Sequence, residues 1–394
     1  MSVRLDALGL LFLALFLLLP APGTPRITGL VVRLGLALTS LAGQTGGQAL
    51  GLGVAACGLI WAERRAGRPA PAAFAPLPAP ALLLPIALFG TFDARLLPGQ
   101  PVPALPWPVV GLALAAAAAG VLSLRPASPT GEGWAALYSL GCLLPALRSL
   151  GAGPWDAWAR LGALGLGLAG LGLAAWMAWN TSGGAARVYL AAAMLLGLGI
   201  GTPAAVAGGL VLLLGGHAGQ ALGAALGTGR LPRLVGIGVA SGLPPTLGFV
   251  GLWLLLGATA AARLPLATAL LSICALLVAL SNARGLSPAG EAGWRIGPTA
   301  AWVVAAGLLA GGLMPAAMLD WVLRPALNTL AAGLPALSEV QEWPGVGLML
   351  TRDNALAGVW PAVGVAATLA ITLAGAELLA RLTTHRAKSA PPDA

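Results

Sequence analysis

Charge is what this sequence lacks most. Only 8% of its 394 residues are Asp, Glu, Lys or Arg, where a soluble domain carries about 25%. A surface so poor in charge could not be kept in water, which excludes the soluble classes. Of 21 basic residues one is lysine, Lys388, and the rest are arginine; they outnumber the 12 acids. Such an excess would normally raise nucleic-acid binding. Here the arginines stand singly between apolar runs, as at loops and helix ends of membrane proteins, so nucleic acid is excluded as a partner. Cysteine is scarce too. Cys57, Cys142 and Cys274 lie in separate apolar runs without CxxC spacing, and two histidines cannot complete a usual metal or haem site. No phosphate loop is present. The expectation is no catalytic residue, no metal and no cofactor on this chain. Strand-type alternation is also missing, which argues against an outer-membrane barrel.

What is present is apolar: 58% hydrophobic residues and a mean hydropathy of +0.90. Lipid is therefore the solvent. The 57 glycines and 32 prolines are better tolerated in membrane helices than in long soluble ones. Apolar runs bounded by Arg, Pro or Gly fall at 7–20, 27–43, 47–62, 77–92, 105–124, 134–151, 157–180, 187–201, 203–227, 230–242, 246–262, 265–282, 297–323 and 357–381. Some are short enough to be half-helices, so about twelve to fourteen transmembrane helices are expected in an all-α polytopic membrane protein.

The first run looks like a signal peptide, but Asp6 in its basic start and the next run close behind favour an uncleaved helix. Residues 1–124 form an N-terminal group of helices, broken by a basic, Pro/Ala-rich loop at 63–80. Residues 125–323 form the core. Residues 324–356 read as a loop with an interfacial helix, Trp343 at headgroup level. A last helix spans 357–381, and the polar tail 382–394 is expected to be disordered. Counting arginines on alternate sides places both termini outside.

Ionisable groups inside a membrane are costly and functional by default. Almost none are found. Eleven of the twelve acids fall in loops or at helix ends; Glu377, four residues before Arg381, reads as one half of a helix-surface pair. Arg33, Arg148 and Arg160 lie near helix ends and can snorkel. His217 is the exception, deep in the run 203–227 with Gln220 three residues on, on the same helix face. Two roles stay open for it: an interhelical hydrogen bond or a proton relay.

A second signal is in the backbone. Ser241-Gly242-Leu243-Pro244-Pro245-Thr246-Leu247-Gly248 separates two apolar runs. Pro244 and Pro245 have no N–H and disfavour helix before them. Such a break is either a tight interfacial turn or a discontinuous helix buried in protein.

Taken in order, these features resemble the antiporter-like membrane subunits of respiratory complex I, of hydrogenases such as formate hydrogenlyase, and of Mrp-type antiporters. PASPTGEGWAALYSL followed by Arg148 is similar to the family's A-P-T loop and arginine-closed helix. LGLAGLGLAAWMAWNTSGGAARVYLAAAMLLGLGIG resembles the helix, Asp-x-Lys-Arg turn and A-Y-S-S helix, and places Arg187 and Tyr189. LVLLLGGHAGQAL resembles the helix with a His-Ala pair, here His217-Ala218. SGLPPTLGFVGLWLLL resembles the G-[LI]-P-P-x-x-G-F break, the most specific of these, carried by Gly242, Pro244, Pro245 and Gly248. LLAGGLMPAAMLDWV resembles a later helix with G-L-x-P. The resemblance covers about half the chain and implies an antiporter-like fold with a discontinuous helix near 242–248. It also implies a multi-pass protein of the bacterial inner membrane whose partners are the bilayer and other membrane subunits of a multisubunit complex.

The departures bear on function. Ser139 and Leu140 stand where the family has a lysine before the arginine matching Arg148. The Asp-x-Lys-Arg turn reads Gly184-Ala185-Ala186-Arg187, and Leu252 replaces a lysine or glutamate after the break. The family's N-terminal glutamate has no counterpart. The remaining candidates for a proton path are His217, Gln220, Arg148, Arg187 and Tyr189. The expected function is a structural or weakly proton-conducting subunit of a complex I-, hydrogenase- or Mrp-related assembly. The alternative is a stand-alone transporter of a small solute, its path lined by His217, Gln220, Asn180, Tyr189 and Ser/Thr residues. A weaker third reading is a proton channel relying on His217 alone.

Overall fold

The computed structural model describes residues 26–42, 45–65, 157–180, 184–223, 225–226, 230–284, 294–295, 298–318, 340–343, 347–352 and 355–360, with positions 6, 9–10, 13, 138, 141–142, 144, 320–321 and 324–326. The expected helices at 77–92 and 105–124, the expected last helix 357–381 from residue 361 on, with Glu377, and the tail lie outside them.

The described helices are α1 (Arg26–Leu41), α2 (Thr45–Arg65), α3 (Ala157–Trp179), α4 (Ala185–Ile200), α5 (Pro203–Gly223), α6 (Arg230–Ser241), α7 (Leu247–Ala261), α8 (Pro265–Arg284), α9 (Pro298–Leu313) and the single turn α10 (Pro315–Met318). Three are long and apolar enough to cross a membrane, in α3, α5 and α8; six more are shorter apolar helices. The chain is an all-α polytopic membrane protein in its core, as the apolar runs imply.

Burial sorts these helices into layers. The spanning window of α5 is 94% buried, against 28% in α3 and 33% in α8. α5 is thus the axis, and α3 and α8 turn large apolar side chains such as Leu173, Trp176, Ile273 and Leu276 outward. Without a hydrophobic force between helices in lipid, small residues that let backbones approach supply the packing. The glycines of α5 do this on every side. A methyl at Gly219 would come within 2.5 Å of the Gly236 carbonyl, and one at Gly208 within 2.8 Å of the Gly251 carbonyl. A methyl at Gly209 would stand 3.0 Å from the Met194 sulfur, and Gly216 receives the Leu190 side chain.

Short strands add to the helices. β1 (Ala225–Leu226) pairs in parallel with β2 (Trp294–Arg295), two segments far apart in the chain. β3 (Val340–Trp343), β4 (Gly347–Arg352) and β5 (Ala355–Trp360) form an antiparallel meander with an irregularity at Leu350/Thr351. This corrects two expectations: residues 340–343 and 347–352 of the expected loop and interfacial helix are strands, and so are residues 357–360 at the start of the expected last helix. The physical reason is local. Pro344-Gly345 and Asp353-Asn354 are turn formers at hairpin spacing, and the segments between them are too short for helix.

Candidate functional site

The break between α6 and α7 is the best-defined feature. Its geometry follows from how each half meets α5. Gly236 of α6 lies against Gly219 and Gly223, and Val239 against Gly215 and Gly219. Leu247 then meets Gly215, Gly251 meets Gly208 and Leu212, and Leu255 meets Gly208. The contacts descend α5 steadily. α6 and α7 therefore run in one direction as a single interrupted helix, and the interruption falls at the level of Gly215, half-way along a membrane-length helix. An interfacial turn between two antiparallel helices would reverse the order, so that reading is excluded.

The sequence explains how α6 stops. Gly242 has φ +69°. Its N–H donates to Val239 O at 3.2 Å, and Leu243 N–H donates to Gly238 O at 2.7 Å. These two bonds close a left-handed helix end that glycine makes without strain. The next two residues, Pro244 and Pro245, joined by a cis bond, have no N–H to give Ala240 O and Ser241 O. Thr246 starts α7, its hydroxyl donating back to Leu243 O at 2.6 Å. Gly248 passes so close to the Val239 carbonyl that any side chain there would overlap it. The end of α9 abuts the same place: Gly312 packs on the backbone of Pro245 and Thr246, and Pro315 just beyond it cannot donate to Gly311 O. Two helix C-termini, each followed by proline, thus meet in the interior.

Side chains tie α8 to both halves. Asn282 Nδ2 donates to Ser241 Oγ at 3.2 Å, at the end of α6. Thr268 Oγ1 donates to Thr259 Oγ1 at 2.9 Å, near the end of α7. No motif pointed to Asn282 or Thr268; the first bond spans 41 residues of sequence.

His217 is 4% exposed. Its Nδ1 lies 2.9 Å from Leu213 O, one turn back on α5. A carbonyl only accepts, so Nδ1 carries a proton and Nε2 is the one ring nitrogen left for other partners. The Arg187 guanidinium is within electrostatic reach of the ring. Gln220 is half-buried, and its buried Nε2 has no hydrogen-bond partner among the described residues. Tyr189 is on α4 like Arg187 but two residues on, about 200° around the helix. It is fully buried. Leu190 fills the seam between α4 and α5 at Gly216. The sequence candidates therefore divide: Arg187 is within electrostatic reach of His217, whereas Tyr189 points to a different side of α4. Arg148 lies outside the described residues. Asn180 is exposed and donates to Trp176 O at 3.0 Å, away from the interior. Among the described residues no group of three His, Cys, Asp or Glu could hold a metal ion.

No family model matches the sequence, and no curated protein does. Solved structures do. A chain of the membrane-bound sulfane sulfur reductase, an archaeal respiratory membrane complex, aligns over 96% of this chain and 74% of its own, with 14% identity and a TM-score of 0.73. The chain carries the antiporter-like fold. The Mrp complex from Dietzia sp. DQ12-45-1b contributes a chain with 18% identity and a TM-score of 0.56, covering 83% of each. Respiratory complex I from Thermus thermophilus contributes one with 21% identity and a TM-score of 0.60, over 84% of this chain and 87% of that one. At such identities the antiporter-like fold is what is shared, and the residues decide the chemistry.

Proposed function

We propose that this chain is a divergent antiporter-like membrane subunit of a multisubunit complex in a bacterial inner membrane, with a structural role and at most weak proton conduction. The carrying observation is the contrast at the core. The interrupted helix packs on α5, α8 and α9, yet among the described residues the polar groups named around it, Arg187 apart, are neutral or singly used. His217 gives one ring nitrogen to its own helix, Leu252 stands where a charge would follow the break, and Ser241 and Thr259 are bound to α8. A relay needs a proton to enter at one nitrogen and leave at the other, and a chain of such groups to carry it on.

The test is affinity purification of the tagged chain from native membranes in mild detergent. Co-purification of membrane and redox or cation-antiporter subunits supports the proposal. A chain that purifies alone and moves a solute in liposomes supports the small-solute transporter instead, for which the buried Gln220 amide would be a ligand.

A further inference from the structure

Contacts between neighbouring helices fix which of their ends lie together. A methyl at Gly199 of α4 would stand 2.5 Å from Leu164 N of α3, and one at Gly167 would stand 2.7 Å from Leu196 N, so these two helices are antiparallel. α5 runs back along α4, with Gly197 at Ala205 and Gly216 at Leu190. Arg233 Nε donates to Gly223 O at 3.3 Å, joining the first turn of α6 to the last residue of α5. α8 runs back along the interrupted helix, from Thr268 at Thr259 to Asn282 at Ser241. The β1–β2 pair brings the chain after α5 beside the chain before α9. One end of the bundle therefore gathers Arg187 at the start of α4, Arg230 and Arg233 at the start of α6, Arg284 at the end of α8 and Arg295 in β2. The opposite end has Arg160, whose guanidinium carbon lies 3.2 Å from a methyl position on Gly201, and Arg263 between α7 and α8.

The interrupted helix decides this sorting. Taking 230–242 and 246–262 as two crossings would put Arg263 with Arg233 and send Arg284 and Arg295 to the other side; one crossing reverses both assignments. The segments linking helices at the arginine-rich end add a single acid, Glu291. Exposed Trp176 and Trp179 of α3 and Trp302 of α9 lie at this end too, where aromatic rings sit at headgroup level. Arginine in short loops is held on the cytoplasmic side, and the inner leaflet is negatively charged. We infer that the end carrying Arg187, Arg230, Arg233, Arg284 and Arg295 is the cytoplasmic surface of this chain and faces anionic phospholipid. The inference rests on the bacterial inner-membrane placement proposed above.

The test has two arms. In the first, Asn180→Cys and Ala262→Cys, exposed positions at opposite ends, are made separately in the full chain. Each is treated with a membrane-impermeant maleimide in spheroplasts and in inverted membrane vesicles, against the unaltered chain as background. The expected result is labelling of Asn180→Cys only in inverted vesicles and of Ala262→Cys only in spheroplasts. Labelling of Asn180→Cys in spheroplasts would overturn the inference. In the second arm the purified chain is placed in nanodiscs of phosphatidylcholine with and without phosphatidylglycerol. The thermal midpoint should rise with phosphatidylglycerol, and the rise should be lost at high salt. It should also be lost in Arg230→Gln with Arg233→Gln and kept in Arg160→Gln. A midpoint indifferent to phosphatidylglycerol would overturn the lipid assignment and leave the arginines to acidic groups of a partner subunit. If the double variant fails to fold, the salt dependence of the unaltered chain decides. Neither arm needs a co-purifying partner, so its failure is distinct from failure of the proposed complex.

Discussion

The Asn282 amide donates to the Ser241 hydroxyl at 3.2 Å, joining the far end of α8 to the last residue of α6. With the Thr268–Thr259 bond at the other end of α8, it makes that helix a splint across the interrupted one. Asn282→Ala leaves the buried Ser241 hydroxyl without its donor. The expected cost is about 1 kcal/mol, in line with interhelical hydrogen bonds in membranes. A lowered thermal midpoint in nanodiscs measures it, and adding Ser241→Ala should cost little more, because the two residues share one bond.

Gly251 meets the core where two backbones approach closely. A methyl there would stand 2.6 Å from Leu212 N and 2.7 Å from Gly208 O. Gly251→Val should drive α7 off α5 at a cost of about 3 kcal/mol, read as loss of monodisperse protein in detergent. Gly172 of α3 has open space instead. Gly172→Ala should be neutral or stabilising by up to about 1 kcal/mol, since alanine is the better helix former.

Arg263 ends α7 with φ +55°. Its N–H donates to Ala260 O and that of Leu264 to Thr259 O, both at 3.0 Å, the same helix end that Gly242 makes on α6. A side chain in this left-handed conformation is strained. Arg263→Gly should therefore raise stability by about 1 kcal/mol, seen as a higher thermal midpoint with assembly unchanged.

The sequence made some of this legible for clear reasons. The unbroken apolar runs of α3, α5 and α8 are long enough to declare themselves, and Gly242-Leu243-Pro244-Pro245 can hardly continue a helix. Its height in the bundle was not legible, because that depends on Gly215 and Gly219 of α5 meeting Leu247 and Val239. Tyr189 and His217 share one resemblance, whereas helix geometry turns Tyr189 about 200° away from Arg187. The meander at 340–360 was masked by its Trp and acidic residues, which suit an interfacial helix as well as strands. Asn282 left no local pattern at all, since its partner is 41 residues away.

Substituting His217 removes the one histidine of the described core. In the assembly that co-purifies with this chain, reconstituted into liposomes, proton translocation is to be compared between the native chain and His217→Ala. If the chain is a scaffold, the variant assembles normally and keeps more than about half of the native flux, a change worth well under 1 kcal/mol in barrier. Abolished proton translocation in a fully assembled His217→Ala complex would contradict a structural role and make His217 an essential carrier.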